Sequence, residues 1–264
     1  MPSSAALRKQ IETEFQHRYP SVLTPTTRTI REVASTGIAE IDELLNGGLP
    51  VGAISEITGP ISSGRTSISL TFLAQLTRSG SVCAWIDASD TLDPESAAAN
   101  GICLEKLLWV RCCDTSAQNQ SNSKRKTGYR KLQPWLRLDQ AIRATDLLLQ
   151  AGGFAAIVLD LGNEKIEHGH RIPLATWFRF RQAADRTRCC LIVLGKSAYA
   201  QSSAAVVLEC QPGSVISATG TVVQGFSYSV RRRRERFSAI TTIDRKPPAS
   251  TWSTHAIWNA ERRA

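Results

Sequence analysis

Apolar and polar positions alternate along this chain in a way that predicts strands and helices in turn. Predominantly apolar runs of the kind found in buried strands cover residues 53–58, 82–87, 107–111, 154–160 and 189–194. Between them, apolar residues recur at three- and four-residue spacing, as at Ile68 and Phe72 or at Leu138 and Ile142, which predicts amphipathic helices. This order predicts an α/β fold with a mostly parallel, twisted sheet and helices on both faces. From residue 205 onward the period is strand-like and predicts a late antiparallel portion.

The same pattern divides the chain into three parts. Residues 1–34 predict a short amphipathic helix followed by a connector rich in proline and threonine. Residues 35–243 form the predicted core, which a polar, basic surface insertion interrupts at 114–134. Residues 244–264 remain as a C-terminal tail with Trp252 and Trp258, which could stack on bases or dock on a partner, or equally fix the tail to the core.

Composition narrows the class of protein. With 264 residues, 42% hydrophobic and 21% charged, the chain suits one sizeable soluble α/β domain. Its net charge of +9 favours an acidic partner, most often a nucleic acid, although many soluble enzymes are also mildly basic.

Cysteine usage and hydropathy predict a cytoplasmic protein. The seven cysteines include no C-x-x-C pair, and Cys189 and Cys190 open an apolar run, so we expect buried, reduced thiols. The N-terminus lacks the apolar core of a signal peptide, and no run approaches the ~20 apolar residues of a membrane span.

The segment from Gly59 to Thr66 carries most of the candidate chemistry. Gly59, Gly64 and Thr66 stand where the phosphate-binding pattern G-x-x-x-x-G-K-[ST] requires them, but Arg65 replaces the lysine. A buried strand precedes the loop and a helix follows it, so backbone N–H groups and the helix N-terminus would face an anion. The loop therefore predicts a nucleotide site, and the arginine raises the question of whether that nucleotide is hydrolysed.

Several consecutive motifs resemble the RecA recombinase family. They are Ser35-Thr-Gly-Ile-Ala-Glu-Ile-Asp42, Gly47-Gly-Leu-Pro-Val-Gly52, Glu56-Ile-Thr-Gly-Pro60, Ser62-Ser-Gly64 and Asp87-Ala-Ser-Asp-Thr-Leu-Asp-Pro94. The similarity runs from about residue 35 to 194 and more weakly to about 243, and it implies a RecA-like P-loop core. The residues that would line the phosphates of ATP are Gly59, Ser63, Gly64, Arg65, Thr66 and Ser67. Thr66 would face Mg²⁺, and Asp160 matches the acid that holds this ion through water, with a strand-end cap as its structural alternative.

The chain also departs from the RecA pattern at positions that RecA uses for turnover. The general-base glutamate falls on Ser89, which cannot accept a proton at neutral pH, and the neighbouring Asp90 would point to the opposite face of a strand. The aromatic residue that stacks on adenine falls on Ser96, and the glutamine that senses the γ-phosphate falls on Lys196. With Arg65, these changes predict weak or absent hydrolysis, with ATP and Mg²⁺ as possible ligands only.

The resemblance also places the DNA-facing parts. The two RecA loops that bind single strands correspond to residues 164–171 and 196–204, and the second is short and lacks the expected glycines. The chain ends without the separate C-terminal domain of RecA, so we expect no strand exchange. A basic run remains that could meet DNA or a protein partner, or be a solvated strand edge: Arg231, Arg232, Arg233, Arg234 and Arg236, with Lys196 nearby. Alternation along a strand predicts that about half of this run faces one polyanion.

A shortened RecA-like chain with an altered ATP site resembles the ImuA family of accessory proteins in damage-induced mutagenesis. That resemblance implies translesion synthesis in the SOS response, non-specific single-stranded DNA binding, and RecA or a mutagenic polymerase complex as partner. Self-association is possible and no membrane is involved. The alternatives are a small DNA-dependent ATPase of homologous recombination that tolerates Arg65, and a RecA-like regulator unrelated to mutagenesis.

Overall fold

The computed structural model describes residues 31–112, 135–162, 164–218, 222–235 and 248–255. The expectations for the N-terminal helix, for the basic insertion, for Arg236 and for Trp258 lie outside these residues. In the described part the chain is an α/β protein organised around a large mixed sheet.

Ten strands lie in the described ranges. They are β1 (Val33–Ala34), β2 (Leu49–Pro50), β3 (Ile54–Thr58), β4 (Cys83–Asp87), β5 (Leu107–Arg111), β6 (Ala156–Asp160), β7 (Cys190–Gly195), β8 (Ala204–Ala218), β9 (Val222–Glu235) and β10 (Ala249–His255). Strands β1 and β2 form a small antiparallel pair, and the other eight form one sheet in the order β10-β9-β8-β3-β7-β6-β4-β5.

The sheet is parallel from β8 to β5 and antiparallel only at the β10 end. Strand β3 pairs in parallel with both β7 and β8, and β6 pairs in parallel with β4 and β7. Strand β9 is antiparallel to β8 and to β10. The predicted fold class, including the late antiparallel portion, is therefore confirmed.

Six α-helices lie in the described ranges. They are α1 (Ala39–Leu44), α2 (Arg65–Arg78), α3 (Pro94–Ala99), α4 (Trp135–Ala151), α5 (Ile166–His170) and α6 (Leu174–Thr187). Helix α3 begins with Pro94, and the Asp93 side chain accepts hydrogen bonds from the backbone N–H groups of the first turn. Helix α5 lies within residues 164–171, which the resemblance to RecA predicted to be a loop. Its five residues are too few to show a helical hydrophobic period in the sequence.

The core consists of two buried clusters, one on each face of the sheet. Helix α2 contributes Ile68 and Phe72 to the first cluster, which also holds Ile57 of β3. Helix α6 contributes Trp177 and Phe180 to the second, which holds Ile54 of the same strand. Because side chains alternate along β3, one strand supplies both clusters, and the helices cover both faces as predicted.

The described cysteines agree with the expectation of buried thiols, with one exception. Cys83, Cys112, Cys189, Cys190 and Cys210 are buried and free, and Cys103 is free and exposed. Burial raises the pKa of the Cys190 thiol to about 12, so this thiol stays protonated at neutral pH.

Strand β10 attaches residues of the expected C-terminal tail to the sheet. It pairs with β9 over seven residues from Ala249 to His255. Trp252 is 3% exposed and packs on Tyr228 of β9, with ring centroids 4.9 Å apart. Of the alternative roles predicted for Trp252, the structure shows that this side chain fixes the tail to the core.

In the ranges that the structure describes, none of the helices combines the length and apolar character needed to cross a membrane.

Candidate functional site

The phosphate-binding loop joins β3 to α2 through two glycines that cannot carry a side chain. Gly59 has a φ of +151°, and a Cβ there would lie 2.3 Å from the backbone oxygen of Cys210. Gly64 has a φ of +83°, and a Cβ there would lie 2.8 Å from Cζ2 of Trp252. The loop is thus held between β8 and the β9–β10 aromatic pair, and the free N–H groups of the 14-residue α2 begin where it ends.

A cavity of about 330 Å³ lies at the N-terminus of α2, beyond the carboxyl ends of the parallel strands. Its walls include Arg65 and Thr66 from α2, Asp160 from the end of β6, and Ser96 from α3. The structure therefore brings Thr66 and Asp160 to one cavity, as the motif order predicts. Ser63 is buried beside the loop, and Ser67 lies half-buried in the first turn of α2.

Asp160 lies in a buried position that favours its protonated form. Burial raises the pKa of Asp160 to about 6, and the Asp87 carboxylate adds to this, whereas the Gly162 N–H and the Arg65 guanidinium oppose it. The Gly162 N–H donates to Asp160 Oδ1 at 2.8 Å. One carboxylate oxygen is therefore already used by the protein.

Arg65 extends from α2 toward the end of β6. Its side chain is 9% exposed, and Nη1 and Nη2 lie 3.4 and 3.5 Å from the position that a Cβ on Gly162 would occupy. Asp160 Oδ1 lies 3.0 Å from the same position. Burial lowers the pKa of the Arg65 guanidinium, and the Asp160 carboxylate opposes that shift. The two charges thus face each other across Gly162.

Asp87 has a structural role that the sequence analysis did not identify. Its fully buried carboxylate accepts hydrogen bonds from the backbone N–H groups of Thr91 and Leu92, both at 2.8 Å, and from Trp109 Nε1 at 3.4 Å. These bonds fix the loop after β4. A carboxylate at the end of a buried strand was the available signal, but only the loop geometry shows its partners.

Ser89 and Asp90, the two residues considered for the role of general base, lie in the loop after β4. Ser89 is half-buried, and its N–H donates to Asp87 Oδ1 at 3.2 Å. The expectation that Asp90 sits on a strand is wrong: its φ of +57° places it in a left-handed turn after β4. Arg111 donates to both Asp90 oxygens at 2.7 and 2.8 Å, and this pairing lowers the pKa of Asp90. Asp90 is therefore a weak base whose two carboxylate oxygens already accept hydrogen bonds from Arg111.

A second, larger cavity of about 850 Å³ lies on the other side of the loop tip, and we call it the Lys196 groove. It is lined by Thr58, Gly59, Pro60, Ile61, Ile166, Lys196, Ser197, Ala198, Val207, Glu209, Gln211 and Arg233. Ile61 at the loop tip is 67% exposed. The groove thus combines the predicted residue Lys196 with part of the predicted arginine run.

A β-bulge turns the arginine run toward this groove. Arg232 pairs with Leu208, whereas Arg234 pairs with Val207, so Arg233 is the extra residue between them. Arg231 pairs with Glu209, on the same side of β8 as Val207. Arg231, Arg233 and Arg234 therefore share one face, and the expectation that strict alternation would divide the run in half is wrong.

These arginines also make contacts within the protein. Arg233 Nε donates to Glu209 at 2.8 Å in an ion pair on the groove wall. Arg234 donates to the backbone oxygen of Gln201, and the backbone N–H of Arg232 donates to Pro248 at 2.9 Å. Arg231 is exposed, and Arg236 lies outside the described residues. The run is therefore part of the sheet, with Arg231 and Arg233 facing solvent.

Glu56 is a further residue that sequence reasoning did not assign to a site. It is 1% exposed in the middle of β3, where Oε1 accepts hydrogen bonds from the backbone N–H groups of Tyr199 and Ala200 at 2.6 and 2.8 Å. Burial raises the pKa of Glu56, while these two hydrogen bonds oppose the shift. Glu56 thereby anchors the loop that carries Lys196 to the centre of the sheet.

Comparison with known proteins agrees with this geometry. Residues 4–122 match a family model described as the RecA N-terminal domain. RecA of Nostoc punctiforme is 42% identical over 99 residues, which are 38% of this chain and 28% of that protein. RecA of Colwellia psychrerythraea is 36% identical over 158 residues, which are 60% of this chain and 39% of that protein.

A solved structure shares the fold over most of the chain. The RadB recombinase superposes with a TM-score of 0.54 at 16% identity, covering 83% of this chain and 94% of the RadB chain. The chain spans 28% to 39% of the length of the RecA proteins compared above. This protein therefore has a RecA-like recombinase fold, and its phosphate-loop half is similar in sequence to the RecA N-terminal domain.

Proposed function

We propose that this protein is a DNA-repair factor that binds single-stranded DNA without sequence specificity in the Lys196 groove. The observation that carries the proposal is that Lys196 and Arg233 line one groove, with Arg231 exposed on the same face of β9 as Arg233. Phosphate neutralisation by lysine and arginine supplies most of the affinity in non-specific binding. The groove offers isoleucines and no aromatic ring to bases, which suits backbone contact and not base readout.

The finer role that we propose is that of an accessory protein in translesion synthesis, in the cytoplasm and within the SOS response to DNA damage. Ser89, the paired Asp90 and the buried Arg65 support it, because together they disfavour the ATP turnover that an active recombinase requires. The partner in this role is RecA or a mutagenic polymerase complex, and self-association remains open to measurement.

One observation favours the rival function of a small DNA-dependent ATPase. Thr66 and Asp160 line the same cavity, as they must in an active P-loop enzyme. Phosphate release measured with and without single-stranded DNA separates the two functions. A rate that DNA stimulates strongly supports the ATPase, whereas a rate at background in both cases supports the accessory role.

DNA binding is tested by the anisotropy of a labelled oligonucleotide over a series of salt concentrations. Reversing the charge of Lys196 and Arg231 to Glu should reduce the slope of log K against log salt by about 0.7 for each lost phosphate contact. These positions are preferable to Arg232 and Arg234, because Arg232 lies on the other face and Arg234 holds the Gln201 carbonyl.

The matched control reverses Arg143 and Arg186, two exposed arginines on α4 and α6 that neither line the groove nor belong to β9. Its net charge equals that of the groove variant, so general charge effects cancel, and exposed charges contribute little to stability in either variant. An equal loss of affinity in both variants contradicts the proposal. An unchanged slope in the groove variant assigns the arginine run to a protein partner instead.

A further inference from the structure

The 330 Å³ cavity does not suit the magnesium-bound nucleotide that the RecA-like fold implies. The Thr66 hydroxyl and the Asp160 carboxylate are oxygen ligands of the kind that Mg²⁺ prefers. However, the Arg65 guanidinium lies buried beside Asp160, facing it across Gly162. A divalent cation on Asp160 would stand next to a fixed positive charge in surroundings that screen it poorly.

The arrangement around Arg65 nevertheless indicates an anionic ligand. Nη1 of Arg65 and Oγ of Ser63 are both buried, and neither has a hydrogen-bond partner among the described residues. A buried polar group without a partner destabilises the protein, so acceptors that complete these groups would be bound favourably. The free N–H groups at the start of α2 border the same cavity and add donors of the same kind.

We propose that Arg65 takes the place of Mg²⁺, so that this cavity binds a phosphate-bearing ligand without a divalent metal. The guanidinium supplies the positive charge and a planar set of N–H donors, which match phosphate oxygens better than a lysine ammonium does. Asp160 lies near Arg65, but the buried Nη1 of Arg65 has no hydrogen-bond partner among the described residues and remains free to donate to a phosphate. The inference concerns the loop alone and does not depend on DNA binding in the Lys196 groove.

The test is calorimetric titration of the full chain with ATP at pH 8, once with Mg²⁺ and once with EDTA. The unmodified protein should bind ATP with affinities that agree within about twofold in the two media, because no metal contributes to binding. Arg65→Lys should restore a metal requirement and lose about tenfold in affinity when EDTA replaces Mg²⁺.

A second variant tests the role of Asp160 by whether it raises or lowers the affinity for ATP. Asp160→Asn removes a negative charge near the phosphates and keeps an oxygen that can accept from the Gly162 N–H, so affinity should hold or rise in both media. If Asp160 held Mg²⁺, the same change would weaken binding in Mg²⁺ alone. Asp90→Asn is the matched control, since Asp90 is paired with Arg111 and does not line the cavity.

Two results would overturn the inference. One is a fall of about tenfold or more in the ATP affinity of the unmodified protein in EDTA. The other is the absence of measurable ATP binding in either medium, which would mean that Arg65 fills the cavity and does not bind a ligand there. Circular dichroism confirms that each variant is folded, and the oligonucleotide assay separates these failures from a failure of the DNA-binding function.

Discussion

At the scale of single residues, the candidate phosphate site keeps the glycine geometry of a phosphate-binding loop, and the differences that we expect from an ATPase site lie in its charges. Gly59 and Gly64 keep the conformation that the loop requires, and Thr66 and Asp160 line one cavity. The base position holds Ser89, and the adjacent Asp90 is bound by Arg111. The loop geometry therefore persists where the groups for proton transfer do not.

The first prediction concerns ATP turnover. The unmodified protein should release phosphate at close to background rates, and Arg65→Lys alone should not change this, because no base is regained. Adding Ser89→Glu to that variant should raise the rate by about 10²-fold or more, the range that general-base catalysis contributes. A steady-state phosphate-release assay decides this. Turnover by the unmodified protein at an easily measured rate would show that another group supplies the base.

The second prediction concerns the pH dependence of stability. Burial raises the pKa of Asp160 to about 6 from its ordinary value of 3.8, so the folded state binds a proton more tightly than the unfolded state does. The stability that protonation contributes is present below the unfolded pKa and is lost as the pH rises through about 6.

Asp160→Asn should therefore be more stable than the unmodified protein at pH 7.5, by up to about 3 kcal/mol at 1.36 kcal/mol per pKa unit. The difference should shrink at pH 5, as measured by urea unfolding at both pH values. A difference that does not change with pH would show that the Asp160–Arg65 attraction, and not burial, governs this carboxylate.

At the scale of elements, β9 connects the two candidate sites. Its bulge places Arg231, Arg233 and Arg234 on one face, and Arg233 lines the Lys196 groove. Tyr228 of the same strand packs with Trp252 of β10 against Gly64. A short edge strand thus supports the phosphate-binding loop from the side. This link makes the integrity of β10 relevant to the loop.

The third prediction follows from that packing. Trp252→Ala should destabilise the protein by about 3–5 kcal/mol, the usual cost of removing a buried large aromatic side chain. Trp252→Phe should cost clearly less, because it keeps a ring against Gly64. Equilibrium urea unfolding measures both variants. A loss below about 1 kcal/mol for the alanine variant would mean that β10 adds little to the folded state.

At the scale of the whole molecule, the parallel sheet places both cavities at the carboxyl ends of its strands, on either side of the phosphate-loop tip. Ile61 lines both of them. The molecule thus has a cavity at the phosphate-binding loop and a groove lined by Lys196 and Arg233 next to each other. In the proposed roles, the cavity binds a phosphate-bearing ligand and the groove binds DNA.

The fourth prediction places the protein in the cell. Replacing the native copy with the Lys196→Glu and Arg231→Glu variant should lower damage-induced mutation frequency by about tenfold, because this variant loses DNA contacts that the proposed role requires. Recombination frequency should stay near normal. Mutation counts after ultraviolet exposure and a recombination assay measure the two outcomes. Loss of recombination with unchanged mutagenesis would favour the recombinase alternative.

The sequence alone determined the fold class and predicted that Thr66 and Asp160 would lie together. Apolar runs that end in Asp87 and Asp160, and a glycine pattern from Gly59 to Gly64, are local signals that do not depend on distant partners. Parallel strands then bring their carboxyl ends together, so Thr66 and Asp160 could be placed in one cavity before the structure was known.

Only the tertiary structure decided how the charges are used. The direction of Arg65, the pairing of Asp90 with Arg111 and the anchoring of the Lys196 loop by Glu56 all depend on contacts between residues far apart in sequence. The bulge at Arg233 depends on the register between β8 and β9, which no local pattern encodes. Local periodicity specifies elements, whereas the partners of a buried charge are set by what the folded chain places beside it.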